Sequence, residues 1–334
     1  LIPQLPRQAF AQRKFYRSIR LDAQVKSLQF TELDIEKLVY NQEFIMRGLY
    51  VNQPRFEAYT DKRLPKRSAQ QYQNFEQMLQ SIPLHVEVDT LAIRNASMKY
   101  IEQQARKSTG DGLAIHKAQK MDILVQRIQL GKALKGSALA ELDTKSLLID
   151  VKNYRFKTPD GIYELLFKDL EVSSARSLIE IDSLQLRPLL SDSAFVQKTQ
   201  YRKPLFKFAL ADLKAQDINF DKLLLYQEFD WGKLYLNRPQ IDVFVDKRKP
   251  KKPIEADTLE SAFVEPEDTV KLQMVLRQLP FYIKIDTFAI NNASLQYREQ
   301  VANATKNATG INIHRAKRFD CMIPQIRLGR ASKE

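Results

Sequence analysis

Cysteine is almost missing from this sequence: Cys321 is the only one among 334 residues. A single thiol excludes an intrachain disulfide and a cysteine-rich zinc site, and it leaves the redox compartment open. Glycine is scarce as well, with 9 residues, so turns must rest on Asn, Asp and Pro. There are 3 histidines, and none lies in an H-E-x-x-H pattern. No G-x-S-x-G, P-loop or G-x-G-x-x-G occurs, which removes the common hydrolase, nucleotide and dinucleotide signatures. No apolar run reaches the roughly 18 residues that a membrane-crossing helix needs.

What is present describes a folded, basic chain. Hydrophobic residues make up 44% and charged residues 28%, a balance suited to a packed core rather than disorder. The length fits one large domain or two ordinary ones. A net charge of +13 favours an anionic partner, such as phospholipid headgroups, nucleic acid or an acidic protein; a solubilising surface is the plainer explanation. No stacking platform or other nucleic-acid motif is present, so nucleic acid is not expected. The sequence opens on Leu1 and closes on "RASKE" inside a repeat, which reads as a piece of a longer protein.

The repeat is the dominant feature. Residues 37–63 match 222–248 at 12 positions, 83–100 match 280–297 at 9, and 116–132 match 314–330 at 6. Units of this size are far longer than those of ordinary solenoids, so each copy is expected to be a set of strands in its own right. The expected organisation is a first copy over 1–132, connecting strands over 133–205 continuous with it, and a second copy over 206–334. The loops 61–70 and 246–261 are rich in Lys, Arg and Pro, as exposed connections are. Each precedes a helical pattern, over 68–80 and 267–279, that ends before Pro83 or Pro280.

Within the copies, "DTLAIRNASMKY" at 89–100 recurs as "DTFAINNASLQY" at 286–297. Val86 and Val88 share one phase, Leu91 and Ile93 the other, which predicts a bulge or bend at Asp89-Thr90. Asn95 and Asn292 suit the left-handed backbone of a tight turn, so the phrase is expected to be a bent strand followed by a hairpin. Period-two alternation elsewhere predicts antiparallel sheet with one apolar face. The expected fold is mainly β: an elongated, curled antiparallel β-sheet, a β-groove built from a long internal duplication, with one or two short helices. A second sheet, a helix or lipid chains could each cover the apolar face, and alternation does not choose among them.

Candidate chemistry is thin. His116 and His314 are repeat-equivalent and are read as structural histidines. Asp89 and Asp286 are read as bend-capping carboxylates, and Glu43 and Glu228 as strand-end or turn residues. No catalytic residue, metal site or cofactor is expected, and the chain is read as not an enzyme. The basic clusters Lys62, Arg63, Lys66, Arg67 and Lys247, Arg248, Lys249, Lys251, Lys252 are candidates for contact with anionic headgroups. They equally suit loop charges that keep an edge strand from pairing.

The pattern "LQFTELDIEKLVY…LYVNQPRFEAY", followed by "VEVDTLAIRNASMKY", resembles the AsmA-like, TamB-type proteins of Gram-negative envelopes. The resemblance covers roughly residues 17–330 and rests on strand patterns. It implies an elongated β-structure with a hydrophobic groove, a periplasmic location with an inner-membrane anchor outside this sequence, and non-enzymatic transfer of phospholipid between membranes. On that reading Val86, Val88, Leu91, Ile93, Ile283, Ile285, Phe288 and Ile290 are candidate lining. The implied partners are phospholipid, an anionic membrane surface and other envelope proteins. The alternative is a structural or protein-binding β-module with a closed core and no ligand.

Overall fold

A computed structural model describes residues 5–65, 85–104, 110–130, 146–226, 228–251, 282–301 and 310–329. The chain divides into two compact units, Leu1–Ala175 and Arg176–Glu334. It is mainly β, and in each unit the strands form a curled, mixed sheet.

Unit one contains α1 (Arg7–Gln12), β1 (Ile19–Gln24), β2 (Ser27–Thr31), a π-type turn at Lys37–Asn41, β3 (Glu43–Asn52), β4 (Arg55–Asp61), β5 (His85–Gln103), β6 (Leu113–Leu130), β7 (Ser146–Lys157) and β8 (Tyr163–Ser173). β3 and β4 follow one another along the same side of β5, with β2 outside β3 and β1 outside β4. On the other side of β5 lie β6, β7 and β8, each antiparallel to its neighbour. Unit two repeats the plan with β9 (Leu178–Pro188), α2 (Asp192–Lys198), β10 (Pro204–Ile218), α3 (Phe220–Tyr226), β11 (Phe229–Asn237), β12 (Gln240–Asp246), β13 (Ile283–Gln300) and β14 (Ile311–Leu328). Here one unbroken β10 flanks both β11 and β12, and β9 pairs with its far side.

Two expectations about strand pairing need correction. The sheets are not antiparallel throughout: β3 and β4 run parallel to β5, as β11 and β12 do to β13. Alternation carries no information on direction. A parallel pair needs a long crossover rather than a hairpin, and the links from Asp61 to His85 and from Asp246 to Ile283 are long enough for one. The helical patterns at 68–80 and 267–279 lie in them, outside the described residues. The described residues hold three α-helices and one π turn, against the one or two helices expected. The unit boundary falls within 133–205: β7 and β8 belong to unit one and β9 to unit two.

The second correction concerns the repeated phrase, which forms no hairpin. β5 and β13 run straight through it as strands of 19 and 18 residues. Asn95 (φ 53°) and Asn292 (φ 55°) are left-handed, as expected, but they form bulges inside a strand. The reason is a capping carboxylate on the neighbouring strand. Asp122 accepts from the Asn95 N–H at 2.6 Å, and Asp320 from the Asn292 N–H at 2.6 Å. Beside each bulge the preceding strand also turns left-handed, at Gln53 (φ 50°) and Arg238 (φ 52°), just before Pro54 and Pro239. Gln53 donates its N–H to the Arg94 carbonyl, and Arg238 to that of Asn291, each at 2.8 Å.

These positions belong to lines that cross the sheets. In unit two, Ser177 in the turn before β9 and Asp217, Gly232, Asp286 and Gln325 on four strands form one line; Ser183, Ala211, Arg238, Asn292 and Arg318 form the next. In unit one, Glu32, Arg47, Asp89 and Arg127 form the first line, while Gln53, Asn95 and Asn153 lie on the second. Of the 13 non-glycine residues with positive φ among the described residues, all but Gln42 fall on these lines. Each such residue costs on the order of 1–3 kcal/mol of backbone strain. What the strain accomplishes is a change of phase: Val86 and Val88 before the first line, and Leu91 after it, pack in one cluster on one face, although an unbroken strand would put Val88 and Leu91 on opposite faces. The bend foreseen at Asp89-Thr90 therefore exists as a paired kink, with Asp89 facing the left-handed Arg127 (φ 58°) and the register resuming unchanged.

Helices cover part of the reverse face. Ala11 of α1 packs on Tyr59 and Ile101. In unit two, Arg298 bonds to Asp192 of α2 at 2.5 Å and to Asp242 at 2.9 Å, and its guanidinium lies over the Phe244 ring.

Candidate functional site

Residues opposite one another in register share a face. Between the two kink lines of unit one, that rule assembles two apolar rows. Phe30, Leu49, Leu91, Val125 and Leu147 form one; Leu28, Val51, Ile93, Ile123, Ile149 and Val172 form the other. Unit two has the same pair: Ile179, Ala215, Leu234, Phe288 and Ile323, then Ile181, Leu213, Leu236, Ile290 and Cys321. The reverse face carries the row Thr31, Gly48, Thr90, Gln126 and Ser146 and, directly between the two apolar rows, the mixed row Gln29, Tyr50, Ala92, Leu124 and Leu148. At about 4.8 Å between strands, a six-residue row spans about 24 Å. That exceeds the roughly 15 Å depth of one leaflet, half of a ~30 Å hydrocarbon core.

The face closes at one end; its middle stays accessible in unit one, while in unit two Ala215 and Leu234 of the first row are buried. Beyond the first line in unit one, Val88 (4% exposed) packs with Met46 and Ile128, and Leu33, Phe44 and Val86 close over them. The equivalent Ile285 (5% exposed) packs with Ala215, Ile218 and Leu234, ringed by Phe220, Trp231, Ile283, Phe288 and Ile326. Of the eight candidate lining residues, Val88 and Ile285 are thus covered by protein. Val86, Leu91, Ile93, Ile283, Phe288 and Ile290 are half-buried. Sequence reasoning missed the most open part of the surface, Leu28 (55% exposed) and Phe30 (50% exposed) on β2.

Past the second line the face turns aromatic in unit one. The His116 ring stacks between Tyr100 and Phe156, with centroids at 5.6 and 4.4 Å, and its Nδ1 lies 2.7 Å from the Tyr154 hydroxyl. Tyr154 stacks in turn on Phe167 at 4.7 Å. Burial pushes the His116 pKa below its ordinary value, outweighing the nearby Glu102 carboxylate, so this ring is neutral at pH 7. His314 is exposed, with Nε2 3.8 Å from Glu299. No group of three His, Cys, Asp or Glu side chains able to hold a metal occurs among the described residues.

The basic residues that the structure describes are mostly engaged within the protein. Arg63 donates its backbone N–H and guanidinium to the buried Asp61, with a shortest bond of 2.6 Å, and Arg248 does the same to Asp246 at 2.7 Å. These bonds hold both carboxyls below the ordinary carboxylate range, against the opposing effect of burial. Lys62 reaches Glu102 at 2.5 Å, and Lys247 pairs with Glu299. Burial works to raise the Glu102 pKa, but bonds from Lys62 and Tyr100 outweigh it and the net shift is downward. The strand ends are further tied by Arg17, which donates to the Leu64 and Lys62 carbonyls, and by Arg202, which donates to that of Lys247. Lys249 bonds through its backbone N–H to the Asp246 carbonyl, and Lys251 is exposed. Lys66, Arg67 and Lys252 lie outside the described residues.

Asp89 sits at the paired kink, but the carboxylates that cap left-handed N–H groups are Asp122 and Asp320, one strand away. Their recurrence in the third matched block was the available signal. Asp286 pairs with Lys284 at 3.5 Å. Glu43 begins β3, and the Glu228 N–H donates to the Lys222 carbonyl beside α3. No family model matches the chain, and neither a curated protein nor a solved structure matches it.

Proposed function

We propose that this chain is a non-enzymatic carrier of phospholipid, holding acyl chains on the apolar face of its sheets as lipid passes between the inner and outer membranes of a Gram-negative envelope. The observation that supports this reading is the pair of apolar rows in each unit, kept on one face by strained kinks and half-exposed along most of their length, with Ala215 and Leu234 of unit two buried. A methylene moved from water onto such a surface contributes roughly 0.8 kcal/mol, so a chain of a dozen or more methylenes supplies ample affinity without any catalytic group. Headgroups remain in water, where a basic protein attracts anionic ones. The neutral, stacked His116 fits a lining rather than a reaction.

A second reading, a β-module with a closed core, is favoured by the buried clusters around Val88 and Ile285. One experiment separates the two. Donor vesicles containing a phospholipid with a fluorescent acyl chain are mixed with wild type and with Ile93→Asp/Ile290→Asp. A carrier extracts the probe, and the double variant stays folded and does not. A wild type that extracts nothing, or a variant that unfolds because those positions are core, supports the closed module instead.

A further inference from the structure

On the face opposite the apolar rows, unit two holds a concavity of about 320 Å³. Two rows of side chains cross it. Lys207, Asp242, Gln296 and Arg315 stand opposite one another in register, and Ala209, Gln240, Ser294 and Lys317 form the next row. At about 4.8 Å between strands, Lys207 on β10 and Arg315 on β14 are about 14 Å apart at their backbones, a span that two long side chains reaching inward narrow to the size of a small ligand. The floor between them, Gln240, Ser294 and Gln296, lies on β12 and β13, each paired on both sides. The concavity therefore belongs to the face of the sheet and not to an edge. Its charges are unevenly matched. Asp242, the acid in the lining, accepts from Arg298 at 2.9 Å, and Arg298 also bonds to Asp192. Lys207, Arg315 and Lys317 have no carboxylate partner among the described residues. Arg315 donates its Nε to the Gln296 side-chain oxygen at 2.8 Å, which anchors the guanidinium at the floor and leaves its two terminal amino groups for a ligand. Unit one does not repeat this arrangement: Asp22, Glu57 and Lys99 stand at the register positions of Lys207, Asp242 and Gln296. There Glu57 pairs with Lys99 at 3.4 Å and with Arg7 of α1.

We propose that this concavity binds a phosphate monoester or free phosphate, with Arg315 taking two of its oxygens and Lys207 and Lys317 closing from the two sides. The class of ligand follows from the donors. A guanidinium presents a planar fork that matches two oxygens of a phosphate, and an ammonium serves it as a point charge. A phosphate group carries about −1.5 to −2 charges at pH 7 and three strong acceptor oxygens, which three converging cations match. A single carboxylate offers less charge and one oxygen fewer. Ser294 and Gln240 add neutral donors on the floor. The Asp242 carboxylate does not oppose the ligand freely, because Arg298 already holds it. The inference concerns the face that carries no apolar row and stands whether or not lipid is carried.

The test uses the whole chain, with inorganic phosphate titrated calorimetrically at fixed ionic strength, since screening alone would otherwise change the heats. Expected is saturable one-to-one binding, weakened about tenfold or more by Lys207→Gln/Lys317→Gln. Both side chains are exposed, so the double variant should melt as the wild type does. Arg55→Gln/Lys117→Gln removes the same charge at equivalent positions of unit one and should leave the affinity unchanged. A second arm separates the sources of the phosphate. Phosphatidylcholine vesicles are prepared with and without phosphatidic acid, whose headgroup is a phosphate monoester. Recruitment that needs both phosphatidic acid and Lys207 with Lys317 assigns the site to a lipid headgroup. Binding of free phosphate without such recruitment assigns it to a soluble phosphate. The proposal is overturned if phosphate and phosphatidic acid both fail to bind, or if acetate binds as tightly as phosphate. It is also overturned if the unit-one variant loses as much affinity as the unit-two variant, which would reduce the effect to general basicity.

Discussion

The two units carry matched phrases, and comparing them separates what a phrase dictates from what its neighbours dictate. The backbone is reproduced closely: φ is 53° at Asn95 and 55° at Asn292, 50° at Gln53 and 52° at Arg238, and both capping bonds measure 2.6 Å. Side-chain surroundings are not reproduced. His116 is stacked and neutral, while its counterpart His314 stands exposed beside Glu299. The difference follows from the neighbours: Tyr154 and Phe156 of β7 complete the His116 site, while among the described residues His314 lies beside Tyr297 and Glu299.

The largest effect should come from breaking the closed end rather than the open middle. Ile285→Asp puts a carboxylate among Ala215, Ile218 and Leu234, at a cost of about 4 kcal/mol or more, and unit two should lose its cooperative melt. Ile290→Asp, only five positions further on, should stay folded and lose lipid uptake. Equal unfolding in both would mean that the middle of the face is core as well. Next is Gly232→Ala. A Cβ at Gly232 would lie 2.6 Å from that of the left-handed Asp217 on the same kink line. Overpacking of that kind costs about 1–3 kcal/mol, read as an earlier denaturant midpoint for unit two.

A smaller effect tests the equivalence of the two bulges. Asp122→Ala and Asp320→Ala should each cost about 1 kcal/mol, and the two losses should agree although the surrounding sequences differ. A loss in one unit alone would show that the bulge is set by its neighbours instead. The smallest effect is a pH response. A histidine whose pKa is lowered by folding favours the unfolded chain once the solution falls below the ordinary value of about 6.5. Unit one should therefore begin to lose stability as pH drops through that value, and His116→Phe should remove this part of the slope. The carboxyls of Asp61 and Asp246, held low by Arg63 and Arg248, are ionised throughout that range. Their contribution is lost only as pH falls below about 4.

Much of this was legible in the residues. Alternation located β7, β8, β9 and β10, and the change of phase between Val88 and Leu91 announced a kink. The left-handed Asn95 and Asn292 were legible too, but not the structure they build. A left-handed Asn serves a hairpin or a bulge equally, and what decides here is Asp122 or Asp320 on the neighbouring strand. Strand direction was hidden for a related reason: pattern fixes which face is apolar, while the length of the link after Asp61 or Asp246 fixes parallel or antiparallel. The ion pairs of the basic residues were not legible in composition. Lys62, Arg63, Lys247 and Arg248 each pair with a carboxylate, and for Lys62 and Lys247 that partner is distant in sequence.

The most direct test is organic extraction of the purified, folded chain followed by mass spectrometry of the extract. Phospholipid recovered in stoichiometric amount, and lost in Ile93→Asp/Ile290→Asp, is the expected result. A lipid-free extract from a chain that melts cooperatively, with Leu28 and Phe30 still open to solvent, would contradict the proposal that guest acyl chains cover this face.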